Sequence, residues 1–105
     1  MKKLINNPVD YVDECLDGLM LSHPCVLDGR LRRVARTPDG VRKGRVGIVS
    51  GGGSGHLPLF GGYVGHGLID TCAIGKVFEG PALHACLEAT RPADGGAGIL
   101  QLIGN

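Results

Sequence analysis

The chain has 105 residues, enough for one modest core, so it is read as one domain or a piece of one. Eleven basic against ten acidic residues exclude a nucleic-acid partner held by bulk charge, and two Tyr, two Phe and no Trp leave no platform for stacking bases. Nineteen glycines gathered in clusters, beside 43% hydrophobic residues, point to loops in a packed fold rather than to disorder or collagen.

No apolar run approaches the roughly 18 residues of a membrane helix. Met1-Lys2-Lys3 leads to Asn and Pro and not to a signal-peptide core, so the cytoplasm is the expected compartment. Cys15, Cys25, Cys72 and Cys86 form no Cys-x-x-Cys pair and are expected as free thiols packed as small apolar groups.

In chain order, the first expected element is a helix with Asn7 as N-cap, Pro8 at the first helical position, and Asp10, Asp13 and Glu14 near the positive end of the dipole. Val12, Cys15, Leu16, Leu19 and Met20 recur at i, i+3, i+4, i+7 and i+8, one apolar stripe, and His23-Pro24 ends it. Residues 27–45 concentrate positive charge in Arg30, Arg32, Arg33, Arg36, Arg42, Lys43 and Arg45. Leu31 and Val34 suggest a short, partly exposed strand there, read as a solvated edge, and Thr37-Pro38-Asp39-Gly40 has the chemistry of a tight turn.

Val46, Ile48 and Val49 then read as a short buried strand that breaks into Gly51-Gly52-Gly53-Ser54-Gly55-His56. Glycines let a backbone bend sharply and bring its N–H groups against a small ligand, and Pro58 disfavours a helix starting at His56, so a loop presents the imidazole. Spacing excludes three familiar motifs. A dinucleotide fingerprint needs a third glycine at position 56, a Walker loop needs Gly-Lys-Ser/Thr, and a nucleophile elbow around Ser54 needs glycine at 56.

A second glycine cluster covers 61–67, and Leu68 to Ile74 reads as another strand. A short helix follows with Pro81 at its start, Leu83, Cys86 and Leu87 inward, and Arg91-Pro92 at its end. His84-x-Cys86 is not taken as a metal site, because helix positions two apart face different ways. His66 and His84 are assigned structural roles, with no partner carboxylate at useful spacing. Ala97 to Ile103 is an apolar run of the kind buried in a parallel sheet. The order predicts an α/β layered fold with parallel strands flanked by helices, incomplete and hence the front part of a longer protein. Ligands in such sheets bind at the carboxyl ends of strands, which places Gly51 to His56 and Gly104 together if their strands are neighbours.

Met1-Lys2-Lys3-Leu4-Ile5-Asn6, Gly51-Gly52-Gly53-Ser54-Gly55-His56-x-Pro58, Val77-Phe78 before Pro81, and Asp94-Gly95-Gly96-Ala97-Gly98 together resemble the amino-terminal part of the dihydroxyacetone kinase family, in its substrate-binding K subunit or domain. The resemblance spans residues 1–105 and implies phosphorylation of a short-chain ketose at a terminal hydroxyl. It places substrate against Gly52, Gly53, Ser54, Gly55, His56 and Gly104 and makes His56 the catalytic group that takes the proton of the attacking hydroxyl. An imidazole, titrating near neutrality, suits that task. Ser54 is either a further donor to substrate or a turn-stabilising hydroxyl.

The same resemblance implies no metal and no cofactor bound by this segment. The phosphoryl donor is ATP-Mg or a phosphorylated partner subunit, and a homo-oligomer is expected. Two family elements, an aspartate expected directly after Asn105 and a hemiaminal-forming histidine further on, are not among these residues, so the segment alone is expected to be inactive. Leu57 stands where the family usually has Glu, Glu79-Gly80 where it often has Thr-Ser, and Gly104 where dihydroxyacetone-specific members have Lys. The last departure opens an alternative to dihydroxyacetone, a four-carbon ketose such as erythrulose, given more room; a non-enzymatic ketose-sensing regulator is a separate alternative, since the family also uses the same fold that way.

Overall fold

A computed structural model of the chain describes residues 2–22, 26–28, 34–56 and 60–104, with only the backbone for 26–28 and 34–36. The first helix, α1, runs Tyr11–Ser22. It opens from a turn in which Asn7 Oδ1 accepts the Val9 N–H at 3.2 Å and the Asn7 carbonyl accepts Asp10 N–H at 3.0 Å. Asn7 therefore shapes the turn ahead of α1, and both the expected cap, Asn7, and the expected first helical residue, Pro8, lie before the helix proper. Val12 and Leu16 are buried, with Leu19 and Met20 packed beside them, which is the expected stripe. The His23-Pro24 stop and Cys25 lie outside the described residues.

Five strands form one sheet: β1 (Val26–Asp28), β2 (Val34–Arg36), β3 (Gly47–Gly52), β4 (Thr71–Ile74) and β5 (Ile99–Ile103), in the order β1-β2-β4-β3-β5. β4, β3 and β5 are parallel, and β2 joins β4 antiparallel. The basic segment thus holds a strand pair rather than a single exposed strand. β2 is not an edge, since it is paired with β1 on one side and β4 on the other. Leu31, Arg30, Arg32 and Arg33 lie outside the described residues. The turn at Thr37 forms as expected, Gly40 donating to the Thr37 carbonyl at 3.2 Å.

α1 and the second helix, α2 (Leu83–Ala93), cover opposite faces. On one face Val12 and Leu16 meet Val64, Cys72 and Ile74; on the other, Val49 and Ala73 meet Ala85, Ala89 and Ala93. The α2 seam corrects the expected inner face, because Leu83 and Leu87 are exposed and only Cys86 of that trio packs inward. Alanines at i, i+4 and i+8 let the helix approach the sheet so closely that a Cβ on Gly47 would run into the Ala93 carbonyl. Thr71 Oγ1 donates to the Ala89 carbonyl at 2.7 Å and ties α2 to β4. Pro92 lies inside the last turn and the helix ends one residue later, at Ala93, so the expected Arg91-Pro92 stop holds to within a residue.

The strand expected over Leu68 to Ile74 starts later, at Thr71. Leu68 N–H closes a turn onto the Gly65 carbonyl, and Asp70 replaces a ladder step by exchanging two bonds with Ile48. Its N–H donates to the Ile48 carbonyl at 2.9 Å and its Oδ2 accepts the Ile48 N–H at 2.8 Å. β5 is parallel as expected but not buried: Leu100, Leu102 and Ile103 are about half exposed. It has β3 on one side and no strand on the other among the described residues, so only Ile99 reaches the α2 seam.

Candidate active site

β3 carries Gly51 and Gly52 in extended form, held between two paired neighbours, before the chain turns. Gly53 follows, and Ser54–His56 form a single 3-10 turn that His56 ends, in place of the expected open loop. Residues 57–59, including Leu57 and Pro58, lie outside the described residues. On the β4 side Gly75 N–H donates to the Gly52 carbonyl, Ser54 N–H to Lys76 and Gly55 N–H to Val77, each at 2.9 Å. On the β5 side Gly104 N–H donates to Gly51 at 3.1 Å and Ser50 Oγ to the Leu102 carbonyl at 2.7 Å. The expected meeting of Gly51 to His56 with Gly104 therefore occurs, because β3 and β5 are neighbours in register.

Two of the glycines also meet a need inside the protein. A Cβ on Gly55 would collide with the Val77 carbonyl, and one on Gly53 would stand 3.1–3.3 Å from the carbonyl oxygens of Val77, Lys76 and Glu79. Both permit close approach to the segment after β4. Ser54, Gly55 and His56 donate their N–H groups within the protein, the last to the Gly53 carbonyl at 3.3 Å. The N–H of Gly53 has no partner among the described residues.

Ser54 is 6% exposed and its Oγ has no hydrogen-bond partner among the described residues. The hydroxyl thus does not stabilise the turn. A buried hydroxyl without a partner costs on the order of 1–3 kcal/mol, which a polar ligand recovers by bonding to it. The His56 side chain is exposed, with its ring edge-on to Phe60, centroids 6.3 Å apart at 80°. Phe60 is the residue that sequence reasoning missed. Its ring occupies the position that a Cβ on Gly52 would need, and its Cζ stands 2.8 Å from where a Cβ on Gly104 would be. The room expected from glycine at 104 is therefore filled by this ring.

His66 and His84 sit elsewhere, each lining a cavity that also has carboxylates in its wall. His66 shares one of about 230 Å³ with Asp39, Asp70, Arg42 and Arg45; His84 shares one of about 320 Å³ with Lys76 and Glu79. Two of those carboxylates are engaged already, Asp70 by Ile48 N–H and Glu79 by Lys76 Nζ at 3.3 Å.

The sequence pattern of the Dak1 domain matches residues 17–105. The chain belongs to the Dak1 domain family. Over 108 residues it is 41% identical to the PTS-dependent dihydroxyacetone kinase 1, dihydroxyacetone-binding subunit DhaK, of Listeria innocua, covering 100% of this chain and 32% of that one. It is 36% identical to the L-erythrulose 1-kinase of Mycolicibacterium smegmatis, covering 100% of this chain and 18% of that protein. Among solved structures, the dihydroxyacetone kinase from C. freundii in complex with AMP-PNP and Mg2+ superposes with a TM-score of 0.88 at 28% identity. That match covers 99% of this chain and 20% of the other. The chain thus spans a third or less of the length of these relatives, and its sheet is the first part of a larger Dak1 fold.

Among the described residues of this Dak1 segment, no group of three or more His, Cys, Asp or Glu could hold a metal ion. No helix among them is long and apolar enough to cross a membrane.

Proposed function

We propose that residues 1–105 are the amino-terminal, ketose-binding part of a dihydroxyacetone kinase K-type domain acting in the cytoplasm. The ketose lies at the carboxyl ends of β3 and β5 against Gly52, Gly53, Ser54, Gly55, His56 and Gly104. The observation that supports this most is one cluster: a buried Ser54 hydroxyl and a Gly53 N–H, both without partners among the described residues, beside an exposed imidazole. Two unspent polar groups next to a proton acceptor suit a small polyhydroxylated carbonyl compound.

In the reaction the terminal hydroxyl oxygen of the ketose attacks the phosphorus of the donor. His56 accepts the hydroxyl proton, and the bond from phosphorus to the donor breaks with its electron pair leaving on the donor. The donor is ATP-Mg or a phosphorylated partner subunit, brought by residues outside this segment; the named relatives include a PTS-dependent subunit and an enzyme holding AMP-PNP. Residues 1–105 alone turn nothing over. Dihydroxyacetone is favoured over a four-carbon ketose because the Phe60 ring takes the space beside Gly104.

The test is phosphorylation by the full-length protein of dihydroxyacetone and of erythrulose, supplied in turn with ATP-Mg and with a phosphorylated donor subunit. Turnover of dihydroxyacetone that falls by roughly 10²–10⁴ in His56→Ala is the expected result. No phosphorylation of either ketose with either donor overturns the reading.

A further inference from the structure

We propose that Phe60 is a positioning residue for His56, holding the imidazole at its working angle from a ring wedged over Gly52 and Gly104. The inference rests on the ketose-kinase reading for its consequence in turnover, though not for its geometry. Gly52 ends β3, and Gly104 lies one step past the Gly51–Ile103 pair on β5, so both are on the same face of adjacent parallel strands. The ring covers both, since a Cβ on either would meet it. Behind, Phe60 packs on the core cluster of Val12, Leu16, Val64, Cys72 and Ile74, and its carbonyl accepts the Tyr63 N–H at 3.1 Å. The ring is thus fixed from two sides, while the imidazole it meets is exposed and its backbone ends a one-turn 3-10 helix.

An exposed histidine on so short a turn has several staggered rotamers open to it. Edge-to-face contact with a fixed aromatic ring favours one of them, at a geometry within the usual 4.5–7 Å range for such pairs. For a group that must accept a proton from a bound hydroxyl, the lost rotamers are gained orientation. Phe60 does not touch the reacting atoms; it acts through His56.

The experiment compares wild type, Phe60→Leu and Phe60→Ala in the full-length protein, with two readouts. One is the proton resonance of the His56 ring, which feels the ring current of Phe60 whether or not the protein turns anything over. The other is kcat and KM for dihydroxyacetone. The expected result for Phe60→Leu, which keeps most of the apolar volume and so the fold, is a moved His56 resonance and kcat lowered about tenfold with KM nearly held. An unmoved resonance overturns the proposal whatever happens to the rate. A moved resonance with unchanged kcat in an active enzyme overturns it too, since Phe60 then touches His56 without positioning it. Should wild type phosphorylate no ketose, the ketose reading fails by itself and the resonance alone decides the placement of Phe60. Phe60→Ala serves as the larger truncation, and unfolding of that variant leaves the leucine result to decide.

Discussion

Ser54 separates binding from stability at a single atom. Its Oγ is buried and bonded to nothing among the described residues, so Ser54→Ala removes an uncompensated desolvation and is expected to leave the melting temperature of the ligand-free protein unchanged or slightly higher. The same substitution is expected to weaken ketose binding by about 1 kcal/mol, roughly five- to tenfold, measured by calorimetry. Lost stability with unchanged affinity would assign the hydroxyl to the fold instead. Gly104 gives a second test: Gly104→Ala must displace the Phe60 ring, and in a Phe60→Ala background that conflict is absent. A double-mutant cycle on unfolding free energy should show coupling of about 1 kcal/mol, and additivity would mean the ring yields freely. The loop was legible as a site because a glycine run ending on histidine is chemically unusual. Phe60 was not, because nothing in its neighbourhood signals that it folds back over glycines at the ends of two separate strands.

At the scale of elements, α1 was read well because its apolar stripe is made of large residues at helical spacing, Val12 and Leu16 above all. The face of α2 was misread because Ala85, Ala89 and Ala93 carry little hydrophobic weight, and Leu83 and Leu87 outweigh them in any pattern. Small size is the property the seam needs. Ala89→Leu, at a position with no exposed surface, is expected to push α2 off β4, break the Thr71–Ala89 bond and cost about 1–3 kcal/mol or more in urea unfolding. Leu83→Ala, at an exposed position, should change stability by under about 0.5 kcal/mol. Equal effects would mean that the helix packs through its leucines after all. β1 and β2 escaped notice as a pair because each is only three residues long and ends on a charge, Asp28 or Arg36, and because antiparallel pairing to β4 is a tertiary fact.

Across the whole molecule, the layered α/β plan with its parallel strands followed from the alternation of element types, whereas strand order did not. An apolar run such as Ile99–Ile103 reads as central, yet burial depends on what covers a strand, and here β5 borders the sheet among the described residues. β3, flanked on both sides, should hold the most slowly exchanging amides, with β1 well ahead of it in native-state hydrogen exchange; amides of β3 as fast as those of β1 would contradict this order. Sheet order has a consequence in time as well. Both neighbours of β3 come later in the chain, so when Gly47–Gly52 leaves the ribosome it has no strand beside it on either edge. The turn that carries His56 must wait for Lys76 and Val77 to accept its N–H groups, and the far wall waits for Gly104. A nascent chain halted after Val77 and before residue 99 therefore holds the histidine motif in full as sequence and lacks half of it as shape.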